Sequence, residues 1–497
     1  MDYRMKREYL KNNFWSDNAE DEKYLTEYLT RGIFHKWNDK LEILTRICDY
    51  YSYMFRFYPD GRLVLQMMNA NTKDKLNATT TIKVTLNMQG NSLNAELLDA
   101  FPNLDERMTA SAYEQAKGKL KPEIFEHILK EYNKTMQKPK LLDGKYRVFA
   151  IDGSDFTTPY NPKSDFLMNV PNGRPRKDEE PVKPYCQVHA NLLYDIENRT
   201  YQDCILQPKS SANERDAAID MLKRLDCGEY IVIMDRGYDG FNMIETCNRL
   251  PNCHYIIRTK AGKFGGIREI ANLPDRECDV EMTFRVTTSN HYYTQHHNTD
   301  EPDLHLVNHR KRQYKAIRSK NTKDQRWNFE QFVNVKCRVV KFRINNSDTG
   351  REEWEVLHTN LNRFEFPMSR MKEMYHKRWD IETSFRELKY ALGGINFHSK
   401  KEDFIKMDLF AHFIMFNAVS RSIACVSVPQ SNHKYPYAID FKMACLIVRK
   451  YYRLYNEKPP NMMFAEILAY TVPVRAGRSD KRNLKPKSAV WFVYRVA

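Results

Sequence analysis

The sequence predicts an α/β fold, a sheet flanked by helices that carries a β-rich insertion, with helical N-terminal and C-terminal regions. Three observations predict it. Between residues 146 and 262 short apolar runs alternate with helical segments, residues 263–355 break into long β-patterned stretches, and helical spacing dominates before about 140 and after 368. At 497 residues the chain exceeds what one core usually serves. We divide it into an N-terminal mostly helical region (1–140), a first core part (141–262), the insertion (263–355), a second core part (356–430) and a helical and basic C-terminal region (431–497).

The elements follow in order. Residues 20–37 and 122–136 show mixed apolar and charged helical faces, whereas 71–94 reads as strand-like or irregular. From Ser111 to Tyr132 small, basic and apolar residues recur at helical spacing, which suits either a DNA-contacting helix pair or a packed one. Val148-Phe149-Ala150-Ile151 is a buried strand, residues 185–193 and 201–206 a hairpin, 213–225 a helix, and Tyr230-Ile231-Val232-Ile233-Met234 and 254–258 two more strands. In the insertion Val280, Met282, Phe284 and Val286 alternate with Asp279, Glu281, Thr283 and Arg285, the two-residue period of a half-buried strand. The most apolar tract, 404–428, contains Lys406, Asp408 and Arg421, which are costly in hydrocarbon, so it predicts a buried helix and no membrane span.

Composition narrows the function. Hydrophobic residues at 42% and aromatics at 12% suit a globular chain, and 79 Lys plus Arg against 64 Asp plus Glu leave a net charge of +15. Such a field concentrates polyanions, with nucleic acid foremost. The ten cysteines show no CxxC pair and read as reduced thiols of an intracellular protein. The charged start Met1-Asp2-Tyr3-Arg4-Met5-Lys6-Arg7 leads into no apolar stretch, so no secretory signal is expected. No Walker motif or GxGxxG is visible, and no nucleotide cofactor is expected.

Two buried apolar runs lead into an aspartate, Asp152 after Ile151 and Asp235 after Met234. If those strands are parallel neighbours, the two carboxylates face each other at the strand ends where open sheets bind ligands. A divalent cation relieves their repulsion, and carboxylate with water is what Mg²⁺ prefers. Each aspartate also suits a simple turn, as Asp152-Gly153-Ser154 or Asp235-Arg236-Gly237. The decisive feature is a helix carrying Tyr375, Arg378, Glu382, Arg386 and Lys389. At ~100° per residue these stand at about 0, 300, 340, 20 and 320 degrees, one stripe roughly 80° wide. It sets an acid among cations beside the apolar Ile381, Phe385 and Leu388.

The spacing Tyr375-x2-Arg378-x3-Glu382-x6-Lys389 resembles the signature of bacterial transposases of the insertion-sequence-four family. Ala150-Ile151-Asp152-Gly153-Ser154-Asp155 and Met234-Asp235-Arg236-Gly237-Tyr238 resemble that family's first and second acidic motifs, in the same order and with a long gap before the glutamate. The likeness covers roughly residues 105 to 497. It implies a ribonuclease-H-like catalytic core and two-metal chemistry on DNA, with Mg²⁺ or Mn²⁺ as the two ions. It implies Asp152, Asp235 and Glu382 as catalytic metal ligands, Asp152 bridging both ions. Tyr375, Arg378, Arg386 and Lys389 would grip phosphates beside the cut. Water frees a 3′ hydroxyl, which in this family forms a hairpin on the opposite strand before joining to target DNA. A homodimer on paired element ends and a cytoplasmic, nucleoid-associated location are expected. Rival expectations are a structure-specific nuclease with the same core and a catalytically degenerate end-binding repressor.

Members of that family stack a flipped base on a tryptophan four residues before a threonine. With Thr359 as that threonine, the place holds Glu355, and Trp354 lies one residue earlier, on the reverse face of a strand unless a bulge intervenes. His291, His296 and His297 fall in a polar stretch of the insertion without ligand-type neighbours. Arg310, Lys311, Arg312, Lys315, Arg318, Lys320 and Lys323 form a basic run suited to tracking phosphates, and the end from Arg475 to Lys487 is basic too.

Overall fold

The computed structural model describes residues 55–57, 63–65, 78–136, 138–168, 184–260, 267–307, 327–345, 352–430, 434–453 and 460–474. The expected helix at 20–37, the basic run from Arg310 to Lys323 and the tail from Arg475 onward lie outside them.

Strands β1 (Phe55–Phe57) and β2 (Leu63–Leu65) pair with each other. Helices α1 (Ala78–Asn87), α2 (Leu93–Ala100), α3 (Ala110–Lys117) and α4 (Glu123–Lys134) precede the central sheet. That sheet comprises β3 (Arg147–Thr158), β4 (Leu167–Met168), β5 (Tyr185–Asp195), β6 (Thr200–Pro208), β7 (Tyr230–Met234), β8 (Cys253–Thr259), β9 (Cys278–Thr287), β10 (Leu304–Leu306), β11 (Phe332–Asn345) and β12 (Glu352–Thr359). Their order is β10-β9-β11-β12-β8-β7-β3-β5-β4, with β6 also on β5. Strands β3, β7 and β8 are parallel neighbours, while β5 and β6 run antiparallel. The remaining helices are α5 (Glu214–Lys223), α6 (Phe241–Arg249), α7 (Arg268–Ala271), α8 (Asn290–His296), α9 (Met368–His376), α10 (Trp379–Arg386), α11 (Glu402–Ala424), α12 (Phe441–Arg453) and α13 (Pro460–Leu468). A small ribbon pairs β13 (Tyr437–Ile439) with β14 (Thr471–Pro473).

The sheet separates two cores, because its strands bury side chains on both faces. On one face Phe149, Ile151, Val232 and Met234 pack with α5 and α6. On the other Val148, Ala150, Ile231 and Ile233 pack with α4, α9, α10 and α11. The apolar tract after Phe404 is the buried helix α11, and among the described residues no helix is long and apolar enough to cross a membrane.

Several expectations need correction. Strand β3 runs on to Thr158 although its apolar run stops at Ile151, because antiparallel pairing with β5 continues from Asp152↔Leu192 to Thr158↔Cys186 after β7 has ended. Among the described residues the strands of the expected β-rich insertion join the central sheet, because β12 pairs with β8. The tract 71–94 is helical from Ala78 to Asn87 despite its Thr and Val content. Ile82 and Leu86 are buried in the core that includes α11, and tertiary burial outweighs propensity differences of a few tenths of a kcal/mol per residue. His291 and His296 sit on the short helix α8, where His296 stacks on Tyr292 at 4.2 Å and His297 lies 2.7 Å from the Tyr293 carbonyl.

The α3–α4 pair buries Tyr113 and Lys117 on one helix and Phe125, Ile128 and Tyr132 on the other. Lys117 makes a fully buried ion pair with Asp408 of α11. Such a pair is costly to break from one side, so it pins this helix pair to the core.

Candidate active site

Parallel register brings the two aspartates together. Ile151 lies opposite Met234, and Met234 opposite Ile257, so Asp152 and Asp235 follow directly at the end of a shared ladder. Each carboxylate accepts a backbone N–H from the turn that follows: Gly153 to Asp152 Oδ1 at 2.9 Å, and Gly237 to Asp235 Oδ1 at 2.6 Å. Turn and site are thus the same feature. A side chain at either glycine would displace a neighbouring side chain. A Cβ on Gly237 would come 2.8 Å from Asp235 Oδ1, and one on Gly153 would come 2.4 Å from His189 Nε2.

Glu382 arrives from α10, buried against the sheet through Ile381 and Phe385. Arg378 joins it to the first aspartate. Its Nη2 donates to Glu382 Oε1 at 2.9 Å, and its Nη1 lies 3.5 Å from Asp152 Oδ2. Asp152 carries the electrostatic strain of this arrangement. Burial, then the nearby Asp235 charge, push its carboxyl up to about 7, with Arg378 and the Gly153 amide offsetting part of the effect and Glu382 adding to it.

The expected continuous signature helix is corrected. It breaks at Lys377–Arg378, where Arg378 N donates to Tyr375 O and Asp380 N to Lys377 O, three-residue turns that tighten the backbone. Beyond Arg386 the chain widens into a π-helical turn, Glu387–Ala391. The tight and wide turns alter the angular positions, so the stripe is no longer uniform. Tyr375 is buried, its hydroxyl has no hydrogen-bond partner among the described residues, and burial pushes it up to about 12. Arg378 is 7% exposed and its guanidinium stands over the Trp379 ring at 5.0 Å. Arg386 is exposed at the end of α10. Lys389 is tied to the sheet: Nζ donates to the Asp155 carbonyl at 2.8 Å and lies over the Phe156 ring at 4.7 Å.

Trp354 lies on the reverse face, and the β11–β12 register passes through Arg343↔Trp354 and Phe342↔Glu355 without a bulge. Its indole N–H donates to Asp275 Oδ1 at 2.7 Å, with Lys341 and Arg343 over the ring at 4.6 and 4.7 Å. Glu355 instead faces the signature segment and pairs with Arg258 at 3.1 Å. Burial raises its carboxyl, opposed by Arg258 and Arg378.

Asp155 is the other acid of the first motif and the sequence competitor of Asp152 for its place; sequence reasoning missed the residues that flank it, His189, Lys209 and Glu214. Asp155 is three residues from Asp152 on one strand and therefore on the opposite face. Its Oδ1 meets His189 Nδ1 at 2.5 Å and Lys209 Nζ at 2.9 Å. The only available signal was the Asn213-Glu214 helix start, which does not say where the helix points.

Among the described residues no group of three or more His, Cys, Asp or Glu side chains stands in ion-holding geometry. At this site the Arg378 guanidinium spans Asp152 and Glu382. The donor set itself suits a hard divalent cation: it is oxygen-only and anionic, and burial together with the Asp235 charge lifts Asp152 to about 7.

No curated protein matches the sequence. A solved piggyBac transposase synaptic complex with hairpin DNA is similar over 96% of this chain and 90% of that chain, at 10% identity and a TM-score of 0.39, too low to support an argument. The model of the transposase DDE domain matches residues 143–418, which is more than half of the chain and includes Asp152, Asp235 and Glu382. The chain belongs to the transposase DDE domain family.

Proposed function

We propose that this transposase cuts and joins DNA in the manner of the insertion-sequence-four family, with Asp152, Asp235 and Glu382 holding Mg²⁺ or Mn²⁺. The observation that carries the reading is the shared end of β3 and β7, which sets two carboxylates side by side with Glu382 tied in through Arg378. Two antiparallel pairings followed by two parallel ones, with helices on both faces, support the ribonuclease-H-like core that the resemblance implies. When bound, two divalent ions would stabilise the attacking and leaving oxygens of phosphodiester cleavage.

The protein residues position the DNA. Arg378 is preorganised by Glu382, Asp152 and the Trp379 face, so a phosphate gripped by its fork would lie next to the carboxylates. Lys389 spends one of its three N–H donors on the Asp155 carbonyl, which leaves it a point charge for phosphate near β3. Arg386, exposed, and the buried Tyr375 hydroxyl complete the expected phosphate contacts. The net charge of +15 favours association of the chain with DNA. Cutting by water, hairpin formation, joining to target and a homodimer on paired ends are parts of the same proposal.

The test uses a labelled element end, taken from inverted repeats flanking the gene, in a time course with Mg²⁺. Asp152→Ala, Asp235→Ala and Glu382→Ala should each lose nicking while still binding the end. Near-parent cleavage by one variant removes that residue from the set. Cleavage without strand transfer by the parent protein would instead make it a nuclease, and end binding without any cleavage a repressor.

A further inference from the structure

We propose that Tyr390 is a further DNA contact, its hydroxyl donating to a backbone phosphate of the strand that leaves the cut along the signature segment. This inference rests on the reading given above, in which Asp152, Asp235 and Glu382 mark the place of cutting.

The segment from Arg378 to Tyr390 runs outward from those acids along β3. Arg378 Nη1 lies 3.5 Å from Asp152 Oδ2, whereas Lys389 Nζ reaches the Asp155 carbonyl at 2.8 Å and stands over the Phe156 ring at 4.7 Å. Phe156 is on the same face of β3 as Asp152 and about 13 Å further along. Ile381, Ser384 and Phe385 hold α10 on the sheet, so its outer side carries Thr383, Arg386 and, in the turn beyond, Tyr390. At ~100° per residue Arg386 stands only about 40° from Glu382 around the axis. In an ordinary helix Tyr390 would drift about 40° past Arg386, away from the acid. The π turn Glu387–Ala391, closed by Leu392 N donating to Glu387 O at 3.0 Å, advances by less than the ~100° of an α-helix and keeps Tyr390 nearly in line with Arg386.

A single exposed ring is ordinary on a protein surface, but the surroundings of this one are not. Tyr390 is 69% exposed, and neither its hydroxyl nor the exposed Arg386 guanidinium has a hydrogen-bond or ion-pair partner among the described residues. The acid between them, Glu387, is taken up by Arg199, whose Nη2 donates to both its oxygens at 2.9 and 2.7 Å. What the row presents outward is therefore cationic and donating: Arg386, the remaining N–H donors of Lys389 and the phenol. Such a set matches the phosphate backbone, which tyrosine hydroxyls contact alongside Arg and Lys, whereas the bases of a duplex have their faces covered by their neighbours. From Glu382 to Tyr390 a rise of ~1.5 Å per residue gives about 12 Å. At ~3.4 Å per nucleotide the phosphate lies about three or four nucleotides from the cut.

The experiment measures binding of the labelled element end by the full chain in chelator, then nicking with Mg²⁺, on duplexes in which one phosphate at a time is replaced by an uncharged methylphosphonate. It compares the parent protein with Tyr390→Phe, which removes the hydroxyl alone, Tyr390→Ala and Arg386→Ala. Tyr390→Phe should bind the unmodified end about tenfold more weakly, with a melting temperature near the parent's. The methylphosphonate about three or four nucleotides from the cut should weaken the parent about tenfold and Tyr390→Phe much less. Arg386→Ala should lower the slope of log K against log salt by about 0.9, whereas loss of the uncharged phenol should leave the slope as it is. If Tyr390→Phe binds like the parent, or responds like the parent to every substituted phosphate, the contact is refuted while the parent's nicking upholds the three-acid reading. A Tyr390→Ala variant much weaker than Tyr390→Phe also overturns it, because the ring and not the hydroxyl would then meet the DNA. If the parent neither nicks nor prefers the element end, the three-acid reading falls and the Tyr390 contact with it.

Discussion

Replacing Asp152 with Asn should stabilise the ion-free protein even as it destroys cutting. The folded chain holds the Asp152 proton up to about pH 7, against 3.8 for the ordinary side chain. At about 1.36 kcal/mol per pKa unit the rise corresponds to about 4 kcal/mol. The fifth of its side-chain surface that remains in water reduces this to about 3 kcal/mol. The sign follows from proton binding. Between pH 3.8 and about 7 the folded state holds a proton that the unfolded state has released, so stability falls as pH rises, and the full cost is present above pH 7. Asn keeps the shape without the charge. Urea denaturation in chelator should therefore show Asp152→Asn more stable than the parent by about 3 kcal/mol at pH 8, with the gap closing towards pH 4. Mg²⁺ should then stabilise the parent and leave the variant unmoved. A gap that stays flat across pH, or a variant less stable than the parent at pH 8, would refute the argument that burying the Asp152 charge beside Asp235 costs the ion-free fold.

Other perturbations separate structural from chemical roles. Arg378→Ala should let nicked DNA accumulate in the end-processing time course, because hairpin formation needs a positioned end; Lys389→Ala should do so more mildly, and parent-like processing by both would remove the phosphate clamp. Lys117→Met should cost about 3–5 kcal/mol by leaving Asp408 buried alone, and adding Asp408→Leu should recover most of it in the same denaturation assay. Burial pulls the His358 imidazole down, but Cys337 and Asp239 push it up to about 10. Its contribution should be complete below pH 6.5 and lost as pH rises through about 10, so His358→Gln should flatten stability over that range. Replacing Arg310, Lys311, Arg312 and Lys315 with Ala should lower the slope of log K against log salt by about 0.9 per lost phosphate contact.

Much of the candidate site could be read along the chain because its parts are short and periodic. Apolar runs declare β3 and β7, and an i,i+4 spacing is enough to bring Arg378 against Glu382. What failed were inferences that extended local periodicity too far. A single 100° repeat for the signature helix ignored the tight turn at Arg378 and the π turn after Arg386, and an apolar run is shorter than a strand whose far half is held by β5. For Trp354 the alternation rule was sound, since no bulge shifts the register and the ring stands on the reverse face. The flank of His189 and Glu214 left no such trace, because neither residue lies near an acidic motif in the chain.

The amino-acid order, then, was sufficient for the α/β class, for the succession Asp152, Asp235, Glu382 and for the cationic neighbours of the glutamate, since each depends on backbone geometry within a few residues. Packing decided the rest. Which strands are neighbours, and in what register, places Asp152 beside Asp235 across a gap of many residues, and that choice rests on burying both faces of the sheet between α5–α6 and α9–α11. The same packing brings Arg378 within 3.5 Å of Asp152 and Lys389 to the Asp155 carbonyl, and stands Glu214 next to Gly153 and Gly237. Contacts of that range are set by the shape of the filled core, which no local periodicity encodes.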